Sequence, residues 1–176
     1  MRSPFDLLYK FTSFLAVVAM VAIAGIILAD VTLRQFGGQV KSSDDFAGFA
    51  LAATGFLGLA ATYRRGEHIR VGLIVDRATG KRRIALEVFA LAVSIVAVGW
   101  ASFWIGRLVY DSWRFHEVTT GLVPILIWVP QSALLLGVAV LLLAMVEDLF
   151  RILTGRRPSY LAHMDGEFGS SSLADR

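Results

Sequence analysis

Apolar residues run through this chain in four long stretches parted by short charged segments, which predicts membrane spans at about 11–34, 45–63, 84–109 and 125–151. A helix rises about 1.5 Å per residue and a bilayer's hydrocarbon core is about 30 Å thick, so about 20 apolar residues cross it. Each stretch reaches that length. Their unbroken apolarity speaks for helices, because the strands of an outer-membrane barrel alternate in segments of about ten residues. The expected fold is an all-α membrane protein with four transmembrane helices. Residues 1–155 form the membrane domain and 156–176 a polar cytoplasmic tail, with Gly155 and Pro158 as the stop between them.

Local signals refine the spans. Ser3 and Pro4 carry helix-start chemistry, so the first helix is expected to begin ahead of its apolar part and to end at Gly37-Gly38. Ser42, Ser43 and Asp44 are candidate caps for the second helix, with Asp44 and Asp45 facing its positive dipole end. The second span is rich in small residues, among them Gly48, Gly55 and Gly58. Helices in lipid associate through close backbone approach, which small residues allow. Two uses are open for them: packing inside the four-helix unit, or docking of a partner protein on one small face. The stretch Val118–Val146 is uncharged for twenty-nine residues, about 43 Å if wholly helical and more than one perpendicular crossing needs. Pro124 and Pro130 are expected to divide it into an interfacial approach and a true span.

Between spans two and three lies Arg64-Arg65-Gly66-Glu67-His68-Ile69-Arg70-Val71, continuing to Arg77. Its apolar members are too few to cross a bilayer and fit an interfacial segment whose arginines reach lipid phosphates. Arg64, Arg65, Gly66, His68, Ile69 and Arg70 are therefore the candidate lipid- or partner-docking residues. Simple orientation of the chain explains the same charges. Reversing Arg64 and Arg65 separates the two readings, since docking residues would lose a complex with topology intact.

The charge distribution sets an expected orientation. Thirteen of the seventeen Lys and Arg residues fall in the N-terminus, the second loop and the tail; only Arg34, Lys41, Arg107 and Arg114 lie on the other side. Basic residues flanking spans stay cytoplasmic, so both termini are expected there. The net charge of +3 is thus a matter of orientation and not of nucleic-acid binding. Arg2, Lys10 and Ala22-Ile23-Ala24 also resemble a cleavable leader. The uncharged run of nineteen residues from Phe11 exceeds the usual apolar region of one, so the first span is expected to stay.

Chemistry is sparse. There is no cysteine, which excludes disulfides, thiolate metal sites and thiol redox work. His68, His116 and His163 fall in loops or tail, away from the depth a membrane haem needs, and no pair has metal-ligand spacing. No nucleophile elbow, zinc-protease helix or phosphate loop occurs. Buried charge in a membrane marks function by default, yet Asp30, Glu87, Glu147 and Asp148 all sit near span ends. Asp30 and Arg34, four apart, are an expected span-end pair. No cofactor or metal and no catalytic role are expected.

Three segments together resemble a known family: Asp30-Val31-Thr32-Leu33-Arg34 closing the first span, the Arg64–Val71 stretch, and Ile127-Trp128-Val129-Pro130-Gln131 followed by Gly137 opening the fourth. They are similar to the small membrane subunit (DctQ-like) of the tripartite ATP-independent periplasmic, or TRAP, transporters. The resemblance covers about residues 5–155; Gly72 departs from it, where many members carry an acidic residue. It implies residence in a bacterial cell inner membrane and three partners: a large membrane subunit in direct contact, a periplasmic solute-binding protein within the complex, and phospholipid. It further implies sodium-coupled uptake of an organic acid, with substrate sites on the large, elevator-type subunit and this chain as its fixed brace. Trp128, Pro130 and Gln131 mark the start of the fourth span in that comparison. Two other classes remain open on the residues alone: a self-contained four-helix exporter or channel, and the membrane anchor of a redox enzyme.

Overall fold

The computed structural model describes residues 6–65 and 81–154. Four helices account for nearly all of them: α1 (Asp6–Gln35), α2 (Ser43–Arg65), α3 (Lys81–Arg114) and α4 (Trp128–Leu153). All four are long and apolar enough to cross a membrane. Helix ends extend beyond the apolar limits because charged first and last turns remain helical; α3 runs on to Arg114 rather than to about residue 109. Hydropathy detects the lipid-immersed part and not the interfacial turns that prolong it. The interfacial stretch with Gly66, His68, Ile69 and Arg70, the Ser3-Pro4 start and the tail lie outside the described residues.

The helices do not follow one another around a bundle. α1 packs on α2, α2 on α4 and α4 on α3, while α1 meets α4 only marginally, so the order in space is α1–α2–α4–α3. Periodicity explains the outer pairs. The covered or half-covered positions of α1 include Tyr9, Thr12, Ala16, Ala19, Ile23, Ile26 and Asp30, at alternating steps of three and four. Those of α3 include Leu91, Ile95, Val98, Ser102, Ile105, Val109 and Ser112, with the same alternation. That spacing is the 3.5-residue repeat of a single seam with left-handed crossing. One seam per outer helix leaves its remaining faces open. α4 is different: Gly137, Val138, Val140, Leu141, Ala144, Met145 and Asp148 are buried between its two neighbours.

Packing is uneven along the helices. Tyr9, Ala60, Tyr63, Leu91, Val140, Leu141, Ala144 and Met145 form the buried apolar cluster. All belong to the half that carries the start of α1 and the end of α4, called here the terminal end. The opposite half, the connection end, is held by its turns. α1 closes with Gly38 N–H donating to the Leu33 carbonyl at 2.9 Å and Gly37 N–H to the Arg34 carbonyl at 3.2 Å. Gly37 sits at φ +77°, the left-handed stop of this capping arrangement. Gly37→Ala is expected to cost about 1–2 kcal/mol, because Cβ crowds the carbonyl in that conformation; denaturant unfolding of the detergent-solubilised chain measures it.

The segment before α4, expected as an interfacial entry to the span, is itself folded: Val118 and Leu126 form an antiparallel bridge. Thr119 N–H donates to the Ile125 carbonyl at 2.9 Å and Ile127 N–H to the Glu117 carbonyl at 3.0 Å. This folded loop docks on the start of α2, where the Ser42 hydroxyl accepts Val123 N–H at 3.1 Å. Ser42 therefore does not cap α2 with its side chain. It takes a left-handed φ of 57°, and its carbonyl accepts Phe46 N–H.

Candidate functional site

At the connection end, Asp30 gathers the α1–α2 turn. One carboxylate oxygen accepts Val40 N–H at 2.9 Å, and the other pairs with the Arg34 guanidinium at 2.7 Å. Asp30 is 6% exposed, whereas the Arg34 side chain is 60% exposed. The pair is thus asymmetric: the carboxylate organises the backbone, and the arginine is a surface partner. Across the same end, the buried Ser112 hydroxyl donates to Glu117 at 2.7 Å, fixing the last turn of α3 to the folded loop.

At the terminal end, three helices meet through one aromatic ring. The Tyr9 hydroxyl of α1 donates to Glu147 of α4 at 3.0 Å. Arg151, one turn on, donates to the other oxygen of Glu147 at 2.6 Å. The Arg64 guanidinium of α2 lies over the Tyr9 ring, 4.3 Å from its centre, a cation–π geometry. Asp148 beside this group is 1% exposed. Arg64, a candidate lipid- or partner-docking residue, thus also packs on Tyr9 within the chain. The backbone of Arg65 closes α2.

The start of α4 places Trp128 as the first helical residue and Pro130 in the first turn, where a missing N–H costs nothing. Gln131 follows, and its side-chain oxygen is buried without a hydrogen-bond donor among the described residues. Trp128, Pro130 and Gln131 are all half-buried. Gln131 N–H donates to the Ile127 carbonyl at the start of the helix.

Glycine use divides sharply. A methyl group at Gly48, Gly55 or Gly58 would meet nothing within 4 Å. These glycines do not create close helix approach within the chain; with Leu51 they line a smooth, open face of α2. Gly137 does the internal work. A methyl there would strike the carbonyl group of Phe56 and come within 2.8 Å of the Leu57 nitrogen, so α4 presses on the backbone of α2. Composition could not tell these glycines apart, since both kinds lie in apolar spans. The Glu147–Arg151 pair was readable from its four-residue spacing; the tie to Tyr9 across the whole sequence was not.

On the far edge, α3 exposes Phe89, Trp100, Phe103, Trp104 and Tyr110. Trp100 and Trp104 sit edge to face, 6.0 Å apart, on a face that meets no other described helix.

No curated protein matches the chain. A family model described as "Tripartite ATP-independent periplasmic transporters, DctQ component" matches residues 23–155, 133 of the 176. The match takes in the Asp30 turn, the open face of α2, the seam at Gly137 and the Glu147–Arg151 pair, but not Tyr9. The chain belongs to the DctQ component family of the tripartite ATP-independent periplasmic transporters and is a small, multi-pass membrane component of such a transporter.

Proposed function

We propose that this chain is the non-catalytic small subunit of a sodium-coupled TRAP transporter for organic acids. It braces the large, elevator-type subunit in a bacterial inner membrane. Both termini face the cytoplasm: Lys10, Arg64, Arg65, Lys81, Arg82, Arg83 and Arg151 belong to helix turns at the terminal end, against Arg34, Lys41, Arg107 and Arg114 at the other. In this reading Arg64, Arg65, His68 and Arg70 hold the cytoplasmic edge to phospholipid.

The observation that carries the bracing role is the open face of α2. This helix occupies an inner place in the row, yet Gly48, Gly55 and Gly58 have nothing packed on them. Small-residue faces suit close contact with another helix far better than contact with lipid tails. The large subunit is the occupant this reading assigns, with the periplasmic binding protein reaching the complex from the connection end.

Gly55→Leu and Gly48→Leu test it. A Cβ at either position meets nothing else in the described chain, so the purified subunit is expected to stay folded with a midpoint no lower than that of the unaltered chain. Recovery of the large subunit with it is expected to fall by about tenfold or more, the consequence of losing about 1.4 kcal/mol of association. Undiminished recovery with both leucines present removes α2 as the docking helix. Flux of an organic anion into vesicles holding this chain alone would overturn the bracing role itself.

A further inference from the structure

We infer that Tyr9 and Glu147 form a tie that closes α1 onto α4 at the terminal end, making three helices into a locked triangle there. The residues argue for it in three ways. The hydroxyl–carboxylate bond of 3.0 Å joins helices that otherwise touch only marginally. Each partner is held in place by an arginine: Arg64 of α2 covers the Tyr9 ring, and Arg151, one turn along α4, pins the other oxygen of the Glu147 carboxylate. The tie also stands at the edge of the buried apolar cluster, to which Tyr9 belongs with Ala60, Tyr63, Ala144 and Met145.

The physical logic is that apolar contact cannot select helix partners in lipid, because lipid tails are as apolar as the side chains. A directed bond to a carboxylate can. A charged acceptor strengthens such a bond relative to one between neutral groups. α1 would lie along α2 without it, but its angle to α4 would be free. The tie removes that freedom and fixes α1 against α4 at the terminal end.

The test uses the full chain in lipid nanodiscs, with spin labels on exposed positions. Labels at Leu7 and Leu153 report α1 against α4 near the tie; labels at Leu51 and Leu143 report α2 against α4. Tyr9→Phe keeps the ring under Arg64 and removes only the hydroxyl. Glu147→Leu removes the acceptor. Both are expected to lengthen the Leu7–Leu153 distance by about 5 Å, half the spacing of packed helix axes, and to broaden its distribution. The Leu51–Leu143 distance stays as in the unaltered chain. Retention of the original Leu7–Leu153 distance in Tyr9→Phe overturns the tie, as does a shift seen with Glu147→Leu alone. Loosening of both distances together overturns it too, since that describes general unpacking.

Discussion

Gly137→Leu is expected to separate α2 from α4 and to abolish the folded membrane domain in mild detergent. A methyl at this position already meets the peptide group between Phe56 and Leu57. Overpacking commonly costs about 1–3 kcal/mol when side chains can give way. Here the obstacle is backbone, which moves only if a whole helix moves, so leucine lies beyond that range. Gly137→Ala is the graded form. In an open helix position, alanine gains about 0.5–1 kcal/mol over glycine. At Gly137 the sign reverses and the chain loses stability, while Gly55→Ala shows the ordinary gain. Unfolding midpoints for the two alanine variants, measured side by side, check the contrast. A Gly137→Ala chain as stable as the original would mean that α4 does not approach α2 this closely.

Asp30→Ala is expected to be the most damaging single change at the connection end. It removes the acceptor for Val40 N–H and the partner of Arg34 in one step. A backbone donor left unpaired beside the membrane keeps its full desolvation penalty, which is why deleting one partner costs more than the bond contributes. Asp30→Asn retains an acceptor for Val40 and is expected to lie between. Arg34→Ala removes only a largely exposed partner, and exposed ion pairs contribute little. The expected order of thermal midpoints is therefore Asp30→Ala lowest, Asp30→Asn next and Arg34→Ala close to the unaltered chain. If Arg34→Ala matched Asp30→Ala, the ion pair and not the backbone bond would be what holds the turn.

The four spans were legible because lipid imposes a single crude requirement, length of apolar helix, and the sequence between Lys10 and Arg151 meets it four times. The Asp30–Arg34 pair was legible for a local reason, its four-residue spacing. The order of the helices was not. Nothing in the composition of α3 says that it rests on α4, because in lipid one apolar face serves as well as another. The small residues of α2 announced close approach, but Gly48, Gly55 and Gly58 face outward and the contact within the chain falls on Gly137. The stacking of Arg64 on the Tyr9 ring was not legible either, because the two residues belong to different helices. The loop of 117–127 escaped notice because its bridge joins two apolar residues with no alternating pattern around them. Family membership, by contrast, was legible in short segments whose structural roles only the fold explains.

The spatial order α1–α2–α4–α3 has a consequence for biogenesis. A ribosome delivers α1 and α2 first, and these can pair at once as a hairpin in the translocon. The next helix to emerge, α3, has no seat among them, since its own seam belongs to a segment not yet made. It must wait in the bilayer until the last helix arrives and wedges between the two earlier parts. A nascent chain stopped after Arg114 therefore leaves a paired hairpin and a stray helix, the form that quality-control proteases would meet.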